Sequence, residues 1–228
     1  MKYTRTEQGV FLSRPNRFTA WAEILGQKQL CHVKNTGRLG ELFVPGAEIY
    51  AAAAGEKNRK TAWDIVAVNK QGRLVNVDSQ APNAAAAEFL QRQYPLARVR
   101  REAVFEDSRF DFFIEDCRRK RFIEVKGVTL EKNGVALFPD APTLRGTKHL
   151  RGLIRARQQG YEACVLFVIQ RKGVHTFCPN RAADEAFART LAQAAQNGVE
   201  ILAYDCRVGR DFMEIDKPVK VEDVCLAL

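Results

Sequence analysis

No Cys-x-x-Cys pair occurs in this chain of 228 residues, although six cysteines (Cys31, Cys117, Cys164, Cys178, Cys206 and Cys225) are scattered along it. That absence excludes a zinc ribbon or a disulfide framework and points to reduced, structural thiols. The neighbours Cys31-His32 and His175 with Cys178 lack the paired spacings of a zinc site. No apolar run approaches the roughly 20 residues of a membrane helix, and the start, MKYTRTEQGV, has no apolar signal-peptide core. The expectation is a soluble, cytoplasmic protein with no membrane partner. No helix-turn-helix pattern is evident, so sequence-specific operator recognition has no obvious element.

What is present suffices for a packed core: 46% of residues are hydrophobic. The formal net charge is +9, which attracts polyanions at a distance and makes nucleic acid the natural partner. DNA is expected, with RNA left open. Nothing in the chain identifies a protein partner.

The first part, residues 1–80, contains five β-like runs: VFLSRPNRFTAWAEIL, QLCHVKN, ELFVPGAEIYAAAA, TAWDIVAVNK and RLVNVDS. Turn signals separate them at Asn35-Thr36-Gly37, Pro45-Gly46, Gly55 and Gln71-Gly72. Five short strands with little helix predict a small all-β, OB-like barrel. Its cations (Arg5, Arg14, Arg17, Lys34, Arg38, Lys57, Arg59, Lys60) interleave with aromatics, a combination that tracks a nucleic-acid backbone while stacking bases. Arg14, Arg17, Phe18, Lys34 and Arg38 are the candidate contacts, whereas Trp21 and Trp63 are expected to fill the barrel.

The second part, residues 81–228, reads helix 83–93 capped by Asn83, strands near 97–105, 109–115 and 121–128, helix 146–160, strand 163–170, helix 182–197 and strand 199–206. That alternation predicts an α/β sandwich with a mixed sheet. The run ACVLFVIQ, apolar throughout, reads as a central strand buried on both faces.

The strands at 110–115 and 121–128 flank the charged stretch Asp116-Cys117-Arg118-Arg119-Lys120, as in a hairpin. A simple register sets Asp111 opposite Lys126 and Phe113 opposite Glu124, placing Asp111, Glu124 and Lys126 on one face. Glu124-Val125-Lys126 is the only Asp/Glu-x-Lys triplet in the chain. Two carboxylates and an ammonium are the parts of a divalent-cation phosphodiester site, because oxygen ligands suit Mg²⁺ or Mn²⁺ and the cation activates water. The Val125 carbonyl is a further candidate ligand, with Glu88 acting through water from the preceding helix. Gln170, at a strand end, is a candidate donor to phosphate or to water. Thr143, Arg145, Lys148 and His149 cluster where a helix begins, a position suited to clamping phosphate. A solvated amphipathic strand and an ordinary basic loop are the bland alternatives for these two sets.

Taken together, RPNRF, CHVKNTGRLGEL, EVKGVTL, FPDAPTLRGTKHL, VLFVIQR and FCPN resemble the sugar fermentation stimulation protein family over nearly the whole chain. The resemblance implies an OB-like domain followed by a domain similar to the PD-(D/E)xK nuclease fold. It also implies DNA binding without strong sequence preference and a regulatory role in maltose and other sugar metabolism. By position the nuclease-like motif falls on Asp111, Glu124 and Lys126, with Glu88 as the helix acid and Phe110 where the proline would stand. Two functions stay open: a Mg²⁺- or Mn²⁺-dependent nuclease, and a non-catalytic, sequence-nonspecific DNA-binding regulator.

Overall fold

A computed structural model of the protein describes residues 1–55 and 59–222, so Lys57 and Cys225 lie outside the described residues. The chain forms two units. One comprises Met1–Ala85, Gln170–Gly173 and Cys206–Glu214; the other comprises Ala86–Ile169, Val174–Asp205 and the stretch from Ile215 onward. A single cut at 80/81 does not capture the two later segments that return to the first unit.

The first unit begins with β1 (Thr6–Ser13), β2 (Thr19–Ile24), β3 (Gln27–Val33), β4 (Glu48–Ala53), β5 (Trp63–Lys70) and β6 (Arg73–Asn76). The order is β3-β2-β1-β4-β5-β6, and parallel pairing of β3 with β5 through Cys31↔Trp63 and Val33↔Ile65 closes a five-stranded barrel. The expected OB-like barrel is therefore present, but its five strands are drawn differently from the five sequence runs. VFLSRPNRFTAWAEIL forms two strands, because Pro15 interrupts it and the Asn16 side chain accepts the Phe18 and Thr19 N–H groups. RLVNVDS supplies β6, which pairs with β5 and, through Val75, bridges to Arg171, and it stands outside the closure. Leu25-Gly26 and Gln71-Gly72 both take positive φ, as two-residue hairpin turns require.

Phe11, Ile24, Val33, Ile49, Trp63, Ile65 and Val68 fill the barrel. Trp63 is buried as expected, whereas Trp21 is only half-buried and carries Lys28 over its ring. Asp64, between Trp63 and Ile65 on β5, is 4% exposed and is held by Arg59 at 2.6 Å, Lys34 at 2.9 Å and His32 at 3.1 Å. Burial alone would raise its pKa, but the hydrogen bonds and charges of Arg59 and Lys34 outweigh burial and hold it below the usual carboxylate range.

The helix α1 (Ala81–Gln93) begins two residues before the expected cap. Asn83 lies inside it, and the chain is turned into it by Asp78, whose Oδ1 accepts the Gln80 N–H and whose carbonyl accepts that of Ala81. Pro82 is tolerated because first-turn N–H groups have no helical partner.

There follow β7 (Arg98–Phe105), β8 (Ser108–Glu115), β9 (Lys120–Val128), β10 (Glu131–Lys132), β11 (Val135–Phe138), α2 (Leu144–Gln158), β12 (Glu162–Ile169), β13 (Thr176–Pro179), α3 (Glu185–Gln196), β14 (Glu200–Val208), β15 (Met213–Pro218) and β16 (Lys220–Val221). One mixed sheet has the order β15-β14-β12-β9-β8-β7, with β9, β12 and β14 parallel and β7, β8 and β9 antiparallel. A smaller sheet, β10-β11-β13-β16, was not anticipated. Its strands are two to four residues long, too short for a periodic signal.

As expected, β12 is central, with every residue from Ala163 to Ile169 buried. Phe113, Phe122, Val165 and Phe167 join α2 and α3 in one core with Phe177 of the small sheet. Ile123, Cys164, Leu166 and Leu202 instead line a cavity with Phe89 and Leu90 of α1 on the other face.

A carboxylate whose folded pKa is depressed contributes stability above its unfolded pKa and loses that contribution as pH falls through the folded value. Asp64→Asn is therefore expected to lower the urea midpoint at pH 7. It should also flatten the decline in stability below about pH 4, near the ordinary Asp pKa, when midpoints are followed down to acid.

Candidate metal and phosphate site

Glu124 is the centre of the site. Its neighbours along β9 are apolar, and the residue is 2% exposed, with its side chain on the α2 face of the sheet. A buried carboxylate requires partners. The Lys126 ammonium donates to Glu124 Oε1 at 2.6 Å, and Nδ1 of His149, reaching down from α2, contacts the same oxygen. The second oxygen, Oε2, is buried with no hydrogen-bond partner. Burial pushes the Glu124 pKa up, but the His149 hydrogen bond and the charge and hydrogen bond of Lys126 outweigh it. The net direction is downward, so the group is ionised at neutral pH.

The helix can approach this closely because of its small residues. A Cβ on Gly152 would stand 2.8 Å from Ser108 Oγ and 3.0 Å from the Phe110 ring, so α2 lies almost directly on β8. His149 is 7% exposed and meets Phe110 edge-on with ring centroids 6.2 Å apart. The first turn of α2 is tied down as well. Thr143 caps it by accepting the Gly146 N–H at 3.0 Å, while the Thr143 N–H donates to Asp184 Oδ2 at 2.8 Å. Asp184 also caps α3 through the Phe187 N–H. Sequence reasoning missed Asp184, although an Asp immediately before Glu-Ala-Phe is an N-cap signal.

The observed register pairs Phe112 with Ile123 and Phe113 with Phe122, two residues away from the simple expectation. Lys120 joins the ladder opposite Glu115, and Asp116 closes a four-residue loop by accepting the Arg118 and Arg119 N–H groups. A shift of two keeps side chains on their faces, and continuing the register brings Asp111 across from Glu124 instead of Lys126. Asp111 is irregular in another way. Phe110 and Phe113, three positions apart, share one core cluster, so the strict alternation breaks between them. There Asp111 Oδ2 accepts the Val125 N–H at 2.7 Å, standing in for a backbone acceptor.

The other candidates have partners or surroundings of their own. Gln170 belongs to the first unit and is 2% exposed. Its Nε2 is spent on the Asn76 carbonyl, Asn76 Oδ1 and the Asp78 carbonyl at 3.0–3.1 Å, so its amide is no donor to phosphate. Glu88 is exposed on α1, which packs on the face opposite Glu124. His149 is no surface phosphate contact but a buried partner of Glu124. Arg145 is exposed one turn before His149, and Lys148 is exposed and paired with Asp107 at 3.2 Å. In the barrel, Arg14 braces the carbonyls of Arg17, Asn35 and Arg38, and Lys34 is committed to Asp64. Arg17, Phe18 and Arg38 are exposed, Phe18 at 55%.

A family model described as the sugar fermentation stimulation protein RE domain matches residues 80–212, and one described as the SfsA N-terminal OB domain matches residues 12–77. The chain belongs to the sugar fermentation stimulation protein family. A homolog from Desulfitobacterium hafniense is 51% identical over 224 residues, covering 97% of this chain and 98% of that protein. A homolog from Clostridium beijerinckii is 46% identical, covering 97% and 99%. The solved structure of Pyrococcus furiosus SfsA in complex with Ca²⁺ superposes with a TM-score of 0.86 at 27% identity, covering 97% of this chain and 98% of that one.

Removing the Asp111 carboxylate leaves the Val125 N–H without its acceptor. Asp111→Ala is expected to cost about 1–3 kcal/mol in urea denaturation, whereas Asp111→Asn, which retains an acceptor oxygen, should cost less.

Proposed function

We propose that the second unit carries a divalent-cation site acting on a nucleic-acid phosphodiester, in a protein that binds DNA or RNA through its basic surfaces. The observation that carries this reading is the ionised, buried Glu124 carboxylate with Oε2 unpartnered. An isolated lone pair in such a place is costly, and a hard cation is the ligand that an anionic oxygen suits. Asp111, Glu124 and the Val125 carbonyl would hold Mg²⁺ or Mn²⁺. Glu88, on α1 at the opposite face of the sheet, is left out of this ligand set.

Among the described residues no three His, Cys, Asp or Glu side chains form a cation cage. That agrees with Mg²⁺, which usually keeps several waters and takes one or two carboxylates together with substrate phosphate. The Ca²⁺ named with the Pyrococcus furiosus relative is likewise a hard, oxygen-seeking cation.

When bound, such a cation neutralises phosphate charge and makes water more acidic. The chain's own groups supply the rest. Lys126, already beside Glu124, orients water or stabilises charge developing on the phosphate. His149 fixes Glu124 so that Oε2 alone is presented. Arg145, at the start of α2, binds a neighbouring phosphate with its guanidinium fork. The pinning of Lys126 on Glu124 also favours a second reading, a non-catalytic DNA-binding regulator of maltose and sugar metabolism that keeps the site without turnover.

Labelled single- and double-stranded DNA and RNA, incubated with Mg²⁺, Mn²⁺ or EDTA, separate the two. Cation-dependent products that vanish in Glu124→Ala/Lys126→Ala would establish a nuclease. Retention without cleavage by either protein would favour the regulator. Calorimetry with Mn²⁺ should show binding to the parent and none to Glu124→Ala. His149→Ala should weaken binding roughly 10–100-fold, the usual effect of losing a group that orients a ligand. Equal Mn²⁺ affinity in all three proteins would refute the ligand assignment.

A further inference from the structure

The sheet of the second unit ends at β7, whose outer edge pairs with nothing in that sheet. That edge reads Arg98-Val99-Arg100-Arg101-Glu102, and all three arginines are exposed. Arg100 lies over the Phe113 ring at 4.7 Å and Arg101 over the Phe112 ring at 5.7 Å. Because Phe112 and Phe113 are consecutive on β8, the two guanidinium groups straddle the edge, one on each side of the sheet. Arg98 shares its side with Arg100 and pairs in register with Glu115, at the end of the sheet where the β8–β9 loop carries exposed Arg118.

Neighbouring cations are neutralised: Arg109 by Glu102, Arg119 by Asp116 and Lys120 by Glu115. Arg98, Arg100, Arg101 and Arg118 form no ion pair with a carboxylate among the described residues.

We propose that this arginine edge, Arg98, Arg100 and Arg101 with Arg118 at its end, is a second binding surface for a nucleic-acid phosphodiester backbone, distinct from the exposed barrel residues and from the Glu124 centre. The inference rests on the nucleic-acid part of the function proposed above. Three arginines of β7 without an ion pair, together with Arg118 of the neighbouring β8–β9 loop beside Asp116, constitute an electrostatic footprint for a polyanion. All four are arginine, whose planar fork meets phosphate oxygens in pairs. Stacking on Phe112 and Phe113 orients two of those forks in advance.

An acidic peptide added as an extra strand fits less well. Glu102 takes a left-handed φ of 54° in mid-strand and drops out of the β7–β8 register opposite Asp111, so the edge is a poor template for a regular ladder. Simple protection against edge-to-edge aggregation, the common use of edge charge, makes a different prediction about the variants.

The test is the salt dependence of binding to a short labelled DNA duplex in EDTA, where no cleavage interferes. Each lost phosphate contact lowers the slope of log affinity against log salt by about 0.9. Arg98→Gln/Arg100→Gln/Arg101→Gln/Arg118→Gln should therefore reduce the slope by up to about 3.6 and weaken binding at every salt concentration. The corresponding four-lysine variant, which keeps the charge, should retain most of the slope. Circular dichroism and urea midpoints like the parent's confirm that both variants are folded.

A parent that fails to bind at low salt overturns the nucleic-acid reading itself, and this surface with it. A parent that binds with the same slope as the glutamine variant overturns this surface alone. Self-association of the glutamine variant with an unchanged slope assigns the arginines to edge protection. Loss of polyglutamate binding with DNA binding intact assigns the edge to an acidic protein, and either result defeats the proposal.

Discussion

The arrangement of the second unit turns on one buried charge. Glu124 lies inside an apolar strand, where an ionised carboxylate is tolerated only if neighbouring groups offset its lost hydration. Lys126 and His149 do so on a single oxygen. That asymmetry sets much of what surrounds it. His149 can reach Glu124 only if α2 lies close to β8, which the lack of a side chain at Gly152 allows. The helix start is in turn fixed by Thr143 and, through Asp184, by the start of α3. Two helix caps and one close glycine thus orient a carboxylate whose other oxygen remains available.

Asp111 shows the same economy in β8. Its side chain substitutes for a backbone acceptor of the Val125 N–H, at the point where β8 abandons regular alternation so that both Phe110 and Phe113 enter the core. The irregularity and the acidic residue coincide, and across the next ladder Glu102 adopts positive φ opposite the same position. In the barrel the comparable buried charge, Asp64, is handled differently. Three basic side chains, from His32, Lys34 and Arg59, contact it.

Much of this was legible from residue patterns. Elements with a long periodic signal, such as β12 and the helix α2, fall within two residues of their expected positions, as usual for termini that fray, while α3 starts three residues later than expected, where Asp184 caps it. The shared face of Glu124 and Lys126 followed from strand alternation alone. Local pattern failed where a distant partner decides. The β8–β9 register depended on whether Lys120 entered the ladder or the loop, and Asn83 was displaced as a cap because Asp78 turned the chain first. Gln170 looked like a free strand-end amide until Asn76 and Asp78, more than 90 positions away, claimed it.

The sequence by itself determined the two classes of architecture, the barrel strands and the α/β alternation, because hydrophobic period and turn chemistry are local properties of the chain. It also determined that Glu124 and Lys126 share a face, since a strand repeats every two residues. Only the tertiary structure decided which oxygen of Glu124 stays open, that His149 is buried against it, and that the three exposed arginines of β7 form no ion pair among the described residues. Those outcomes depend on how closely separate elements approach one another, and contacts between residues far apart in the chain leave no periodic trace in it.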